Sequence, residues 1–234
     1  MAALDLNNFY CGGYLLLRSD RPDWRAPFGE YLSSGNLISL SSCICRHRLS
    51  VFWGWVPGDR EAAIRFGISE QQMDDFLEWC TTEYETVLDV PSLFYSVDAA
   101  RAFVEQFELD RDNLFIIGAA LPVEHQKIWL DEEPDNEGFP KRVKQGIAVE
   151  PGGTPIGYDV VSYSYHDFSH SWLCSGLEKD MHELFGIRAN ALGLLATYDD
   201  ARKVYKWIAE DECKGIRAEP EPYDIWLLLS YPLS

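Results

Sequence analysis

Two stretches of this chain align with each other without a gap: SLFYSVDAARAFVEQF, Ser92 to Phe107, and GLLATYDDARKVYKWI, Gly193 to Ile208. Leu93 matches Leu194, Asp98 matches Asp199, Ala100 matches Ala201, Arg101 matches Arg202, and the hydroxyl residues Ser96 and Thr197 coincide. Each stretch follows a Glu-x-x-Met segment, Glu70 with Met73 and Glu178 with Met181, and each precedes an apolar run. Agreement of order as well as residue type predicts two diverged half-repeats, each running strands, helix, helix, strand. The fold class expected is α+β, with mostly antiparallel sheets and helices packed on one face. The halves then lie side by side or merge into one long sheet.

Local signals fill in the elements. Tyr14 to Leu17, Leu37 to Cys45 and Val51 to Trp55 read as strands, the last closed by the turn Pro57, Gly58, Asp59. Ser69 and Gln72 make a capping box ahead of Met73, Phe76, Leu77 and Cys80, which share a helical face. A second helix after Ser96 carries Ala99, Ala100, Phe103, Val104 and Phe107 at amphipathic spacing. LFIIGAAL, Leu114 to Leu121, is apolar throughout, as a strand covered on both faces requires. From Val123 to Gly146 the chain turns polar, so the expected division is an N-terminal half at 1–125, an acidic linker or loop at 126–145, and a C-terminal half at 146–234. The second half restarts with strands at Val143 to Val149 and Tyr158 to Tyr165. Helices follow at Leu177 to Phe185, ended by Gly186, and from Thr197, with a closing strand at Ile225 to Leu229.

Charge narrows the partners. With 38 Asp and Glu against 20 Lys and Arg, the formal charge is −18, a field that repels nucleic acid and anionic membrane. Such an excess serves solubility, or it shapes a surface to meet a basic partner. MAALDLNNFY carries no secretory signature, and the longest apolar runs are too short to cross a bilayer, so a soluble cytoplasmic protein is expected. Cys11, Cys43, Cys45, Cys80, Cys174 and Cys213 then read as reduced, buried small hydrophobes.

Catalytic signatures are missing. There is no nucleophile elbow, Walker loop, His-Glu-x-x-His or dinucleotide glycine fingerprint. His166, His170, Cys174 and His182 would put their first three members along one helical side, a spacing that suits zinc, but Phe168, Ser169, Ser171 and Trp172 interrupt it. Neither metal nor cofactor is expected. Cys43 and Cys45 are too close for a favourable disulfide and lack redox spacing. Arg46, His47 and Arg48 form the notable basic cluster, to be paired with nearby acids or to meet a phosphate. Tyr158 to Trp172 is dense in aromatics beside Asp159, His166 and Asp167. It reads as an ordinary strand and loop packed on a helix, or as an interface for a basic partner.

Within Gly157 to Ile208, Ser171-Trp172-Leu173-Cys174, Gly176-Leu177-Glu178, Asn190, Gly193-Leu194 and Thr197-Tyr198 form a pattern that resembles the bacterial immunity proteins encoded beside polymorphic toxins of the Rhs and contact-dependent type. It implies a cytoplasmic, non-enzymatic protein that holds a toxin domain one-to-one and occludes its active site. An electropositive cleft built for anionic substrates can be plugged by carboxylates. Exposed charge and aromatic clustering nominate Asp131, Glu132, Glu133, Asp135 and Glu137 as contacts, with His166, Asp167, Phe168 and Trp172 as a second patch. The alternative is a small-ligand or metal-dependent enzyme with a site between the halves, using His166, His170 and His182.

Overall fold

The computed structural model describes residues 4–18, 37–41, 60–83, 88–89, 93–131, 138–164, 167–173, 177–210 and 222–234. The fold is α+β with antiparallel pairing. It divides into two compact units that interleave along the chain. The first takes Met1–Arg18, His47–Thr154 and Leu229–Ser234, and the second takes Ser19–Arg46 and Pro155–Leu228. The expected strand at Val51 to Trp55 and its turn lie outside the described residues.

In the first unit β1 (Phe9–Arg18) lies between β3 (Leu93–Phe94) and β4 (Leu114–Pro122), antiparallel to both, with β2 (Leu88–Asp89) beyond β3. Apolar on both sides, β4 is buried along its length apart from the half-buried Phe115. A helix α1 (Arg60–Phe66) precedes α2 (Met73–Thr82), whose start is fixed by Gln72. Its Oε1 accepts from the Ser69 N–H at 3.1 Å and from the Ser69 hydroxyl at 2.6 Å. Helix α3 (Val97–Gln106) starts on Ser96, whose Oγ accepts from the Ala99 N–H. The two helices lock through their rings: Trp79 lies 4.8 Å from Phe103 and Phe76 lies 5.6 Å from Phe107, centroid to centroid. Each such edge contact adds about 1 kcal/mol beyond the area it buries.

The polar stretch after Val123 is a linker only in charge. Its described parts are helical: a 3-10 turn at Val123–His125, then α4 (Gln126–Asp131) and α5 (Gly138–Lys144). Trp129 packs edge-on against Phe139 at 5.2 Å, and both are buried with Val143. Widely spaced apolar anchors hold these short helices, although the acids outnumber them in the sequence. The strand expected from Val143 to Val149 is therefore absent among the described residues, and only Ala148 bridges to Tyr10.

The second unit orders its strands β7 (Tyr223–Tyr231), β5 (Thr154–Ser164), β6 (Asp167–Ser171), the last three residues of β7 counting with the first unit. Helix α6 (Leu177–Phe185) ends at Gly186, whose φ of 67° is the left-handed conformation that stops a helix. Helix α7 (Tyr198–Ala209) starts on Thr197, which accepts from the Asp200 N–H at 3.1 Å and donates to its carboxylate at 2.8 Å. Leu37 to Ser41, expected as part of a strand, is instead an irregular buried segment of this unit. The Ile38 N–H donates to the Leu192 carbonyl, the Leu40 N–H to the Asp159 carboxylate and the Ser41 N–H to the Ser39 hydroxyl.

One geometry occurs in each unit. Gly13 has a φ of 134°, and a Cβ there would lie 2.8 Å from the Leu93 Cβ; the next residue, Tyr14, pairs antiparallel with Phe94. Gly157 has a φ of 144°, and a Cβ there would lie 2.7 Å from the Leu194 Cβ; the next residue, Tyr158, bridges antiparallel to Leu195. Leu93 and Leu194 are the residues matched in the ungapped alignment, and each stands four residues before the start of its helix, α3 or α7. A Gly-Tyr step, a leucine pressed against the glycine and a hydroxyl-capped helix recur in the same order.

Candidate interaction surface

In the second unit the fully buried Asp159 accepts from the Ser39 hydroxyl at 2.6 Å, the Leu40 N–H at 3.1 Å and the Ser171 hydroxyl at 2.9 Å. Burial pushes its carboxyl above the usual carboxylate range, and those donors pull it partly back. Both hydroxyls are themselves interior, so no substrate reaches them in this conformation. This knot ties the Leu37 to Ser41 segment to β5 and β6.

The first unit holds two comparable interior arrangements. Arg18 is 7% exposed and donates to the carbonyls of Phe66, Asp112 and Asp110. The Tyr14 hydroxyl accepts from the Glu150 N–H at 3.1 Å, and the Tyr231 hydroxyl donates to the Glu150 carbonyl at 2.8 Å. Burial raises both phenols well above their ordinary range, so they act as neutral hydrogen-bonding groups. Cys11 and Cys80 are free and buried, and burial pushes the Cys80 thiol up to about 12. A thiol so shifted is a packing group at neutral pH.

His170 lies on β6 and not on a helix, so the spacing proposed for zinc does not put it on a helical side. The Nε2 of His182 takes the acceptor role toward Arg188, which has only donors to offer, at 2.9 Å. Among the described residues no three His, Cys, Asp or Glu side chains come together as metal ligands. His166 and Cys174 lie outside the described residues.

The nominated contact residues divide. Asp131 is the last residue of α4, while Glu132, Glu133, Asp135 and Glu137 lie outside the described residues, as does His166. Asp167 opens β6. Phe168 and Trp172 are interior: both are fully buried, and Phe168 packs edge-on against Trp226 at 5.2 Å. Neither offers a surface to a partner, which corrects that part of the second patch. Phe168 stands on β6 and Trp172 just past its end, and both side chains fill the interior of the unit.

Sequence reading passed over a different surface. On α2 the buried Met73, Phe76, Trp79 and Cys80 leave Asp74, Asp75 and Glu78 exposed, and these three form no ion pair among the described residues. Beside it, α3 and the turn after it expose Glu105, Glu108, Asp110 and Asp112. The pairs formed nearby are Arg60 with Glu70 and Arg101 with Asp98. Acids in the first turn of α2 also complement the helix dipole, worth a few tenths of a kcal/mol each. That local benefit does not extend to Glu78, Glu105 or Glu108. Their signal was present in the sequence as the polar positions between the apolar ones. The run from Asp131 to Glu137 is denser in acids and dominates the pattern of charge. Comparison with protein-family models, curated proteins and solved structures finds no match.

Proposed function

We propose that this protein is an immunity protein, which binds a cognate bacterial toxin domain one-to-one in the cytoplasm and covers its active site with an acidic surface. The observation that carries the reading is the exposed acidic face of α2, whose Asp74, Asp75 and Glu78 form no ion pair among the described residues, with the exposed Glu105 on α3. Its carboxylates stand on two helices locked by the Phe76, Trp79, Phe103 and Phe107 rings. Fixed charges on a stiff support lose little freedom on binding, and a field of one sign speeds encounter with a basic cleft. The overall charge of −18 acts in the same direction. The acidic run from Asp131 to Glu137 extends the proposed contact set by sequence. We further read the two units as diverged copies of one ancestral half, supported by the matching Gly13-Tyr14 and Gly157-Tyr158 geometries.

The test is growth. Co-expression with the C-terminal domain of a polymorphic toxin encoded immediately upstream of this gene should restore growth that the domain alone arrests. The purified pair should elute as a one-to-one complex whose affinity falls as salt rises. Continued growth arrest despite full expression of this chain would overturn the assignment.

A further inference from the structure

Cys11 and Cys80 are both free and buried, yet their surroundings differ in kind. Cys80 lies on α2, and burial alone sets the state of its thiol. Cys11 stands on β1 where that strand carries one extra residue: Cys11 pairs with Ala120 and Gly13 with Ala119, so Gly12 bulges between them. The bulge returns Tyr14, opposite Gly118, to the face that Cys11 occupies, and the Tyr14 hydroxyl is in hydrogen-bonding contact with the Cys11 sulfur.

The third member of the cluster comes from α5. The Arg142 Nη2 lies 3.7 Å from the Cys11 Sγ and donates to the Tyr95 carbonyl at 3.1 Å, and the guanidinium lies over the Tyr95 ring. Two backbone bonds hold it there: the Cys11 N–H donates to the Ile147 carbonyl at 2.7 Å, and the Ile147 N–H donates to the Arg142 carbonyl at 3.2 Å. Among the described residues the half-buried Arg142 forms no ion pair, and its Nε is buried without a hydrogen-bond partner. A guanidinium cannot shed its proton, so its field stays uncancelled by any carboxylate, and the thiol beside it can take up negative charge.

We infer that Cys11 is an oxidisable thiol that hydrogen peroxide converts to a sulfenic acid, with Arg142 and Tyr14 holding the negative charge that develops on its sulfur and oxygen. The sulfur attacks one peroxide oxygen, the S–O bond forms as the O–O bond breaks, and the departing hydroxide takes the thiol proton to leave as water. Sulfur is oxidised and the peroxide reduced, so one thiol and one peroxide give one sulfenic acid and one water. A reactant as small as peroxide suits a sulfur only 1% exposed, where a bulky electrophile is kept out.

The test treats the intact, reduced chain with hydrogen peroxide in the presence of dimedone, which traps sulfenic acids, and follows the cysteine-bearing peptides by mass spectrometry. In the folded chain Cys11 should be labelled roughly tenfold faster than Cys80, and the preference should vanish in urea. Arg142→Gln should slow labelling of Cys11 about tenfold and leave Cys80 unchanged, whereas Arg142→Lys, which keeps a cation, should retain most of the rate. Tyr14→Phe keeps the ring, loses the hydroxyl and should also slow Cys11. Equal labelling of Cys11 and Cys80 in the folded natural chain would overturn the proposal without recourse to any variant. An Arg142→Lys rate no higher than that of Arg142→Gln would assign the effect to packing and overturn the role given to charge.

Discussion

The Nε of Arg18 donates to the carbonyl of Phe66 at 2.7 Å, joining the end of β1 to the last residue of α1. The same guanidinium reaches the carbonyls of Asp112 and Asp110 at 3.0 and 2.9 Å, so one buried cation is held by three backbone oxygens. A fork of fixed geometry can satisfy three divergent acceptors, and an ammonium on a flexible stem cannot. Arg18→Lys should therefore lower stability by about 3 kcal/mol through the interior carbonyls it leaves bare. Urea unfolding measures this, and a loss below about 1 kcal/mol would show that the fork is dispensable.

The glycines separate two sources of strain. Gly186 has a left-handed φ with nothing within 4 Å of an added Cβ, whereas Gly13 and Gly157 combine positive φ with contacts of 2.8 and 2.7 Å to leucine Cβ atoms. Gly186→Ala should cost about 1 kcal/mol, the backbone penalty alone. Gly13→Ala and Gly157→Ala should each cost at least about 2 kcal/mol, because overpacking adds to that penalty. Equal melting temperatures for all three variants would contradict the proposed leucine contacts.

Helix starts give an independent measure. Ser96→Ala removes the acceptor for the Ala99 N–H, and Thr197→Ala removes that for the Asp200 N–H. Each should cost about 1 kcal/mol. With no partner in common, the double variant should lose their sum within about 0.5 kcal/mol. A double variant no less stable than either single one would mean that one cap is not formed.

What the sequence discloses here follows the range of the interactions. Ser69 with Gln72, Ser96 and Thr197 act within three residues, so the starts of α2, α3 and α7 were legible, and an unbroken apolar run sufficed for β4. Leu37 to Ser41 read as a strand because its alternation is local, yet Ser39 meets Asp159 across 120 positions. No local pattern announces such a partner. The helices α4 and α5 were hidden because charge dominates their neighbourhood while few apolar residues, Trp129, Phe139 and Val143 among them, hold them down. Phe168 and Trp172 misled for a related reason: an aromatic beside acids looks alike in sequence whether it faces solvent or the interior, and here both face in. The acidic face needed the helix pairing to become visible, since the exposed Glu78 and Glu105 stand on separate helices that Trp79 and Phe103 bring together.

Asp159 links stability to pH with a sign that can be worked out. Its folded carboxyl titrates above the ordinary carboxylate value because burial penalises the charged form more than its donors favour it. Stability from this group is therefore complete below the unfolded value and is lost as pH rises through the raised folded value. The knot accommodates a proton: the Ser171 hydroxyl already accepts from the Leu173 N–H, and by rotating it can also accept from a protonated Oδ1 while Oδ2 keeps Ser39 and Leu40. Asparagine with its amide nitrogen toward Ser171 reproduces that neutral pattern. Asp159→Asn should match the natural chain in acid and become the more stable of the two as pH rises. Asp159→Ala should lose about 3 kcal/mol in acid, since it strips acceptors from the Ser39 and Ser171 hydroxyls and the Leu40 N–H, and the gap to the natural chain should narrow as pH rises. Urea unfolding from pH 4 to 8 distinguishes these outcomes, and parallel curves for the natural chain and Asp159→Asn would mean that the carboxyl does not titrate abnormally in the folded state.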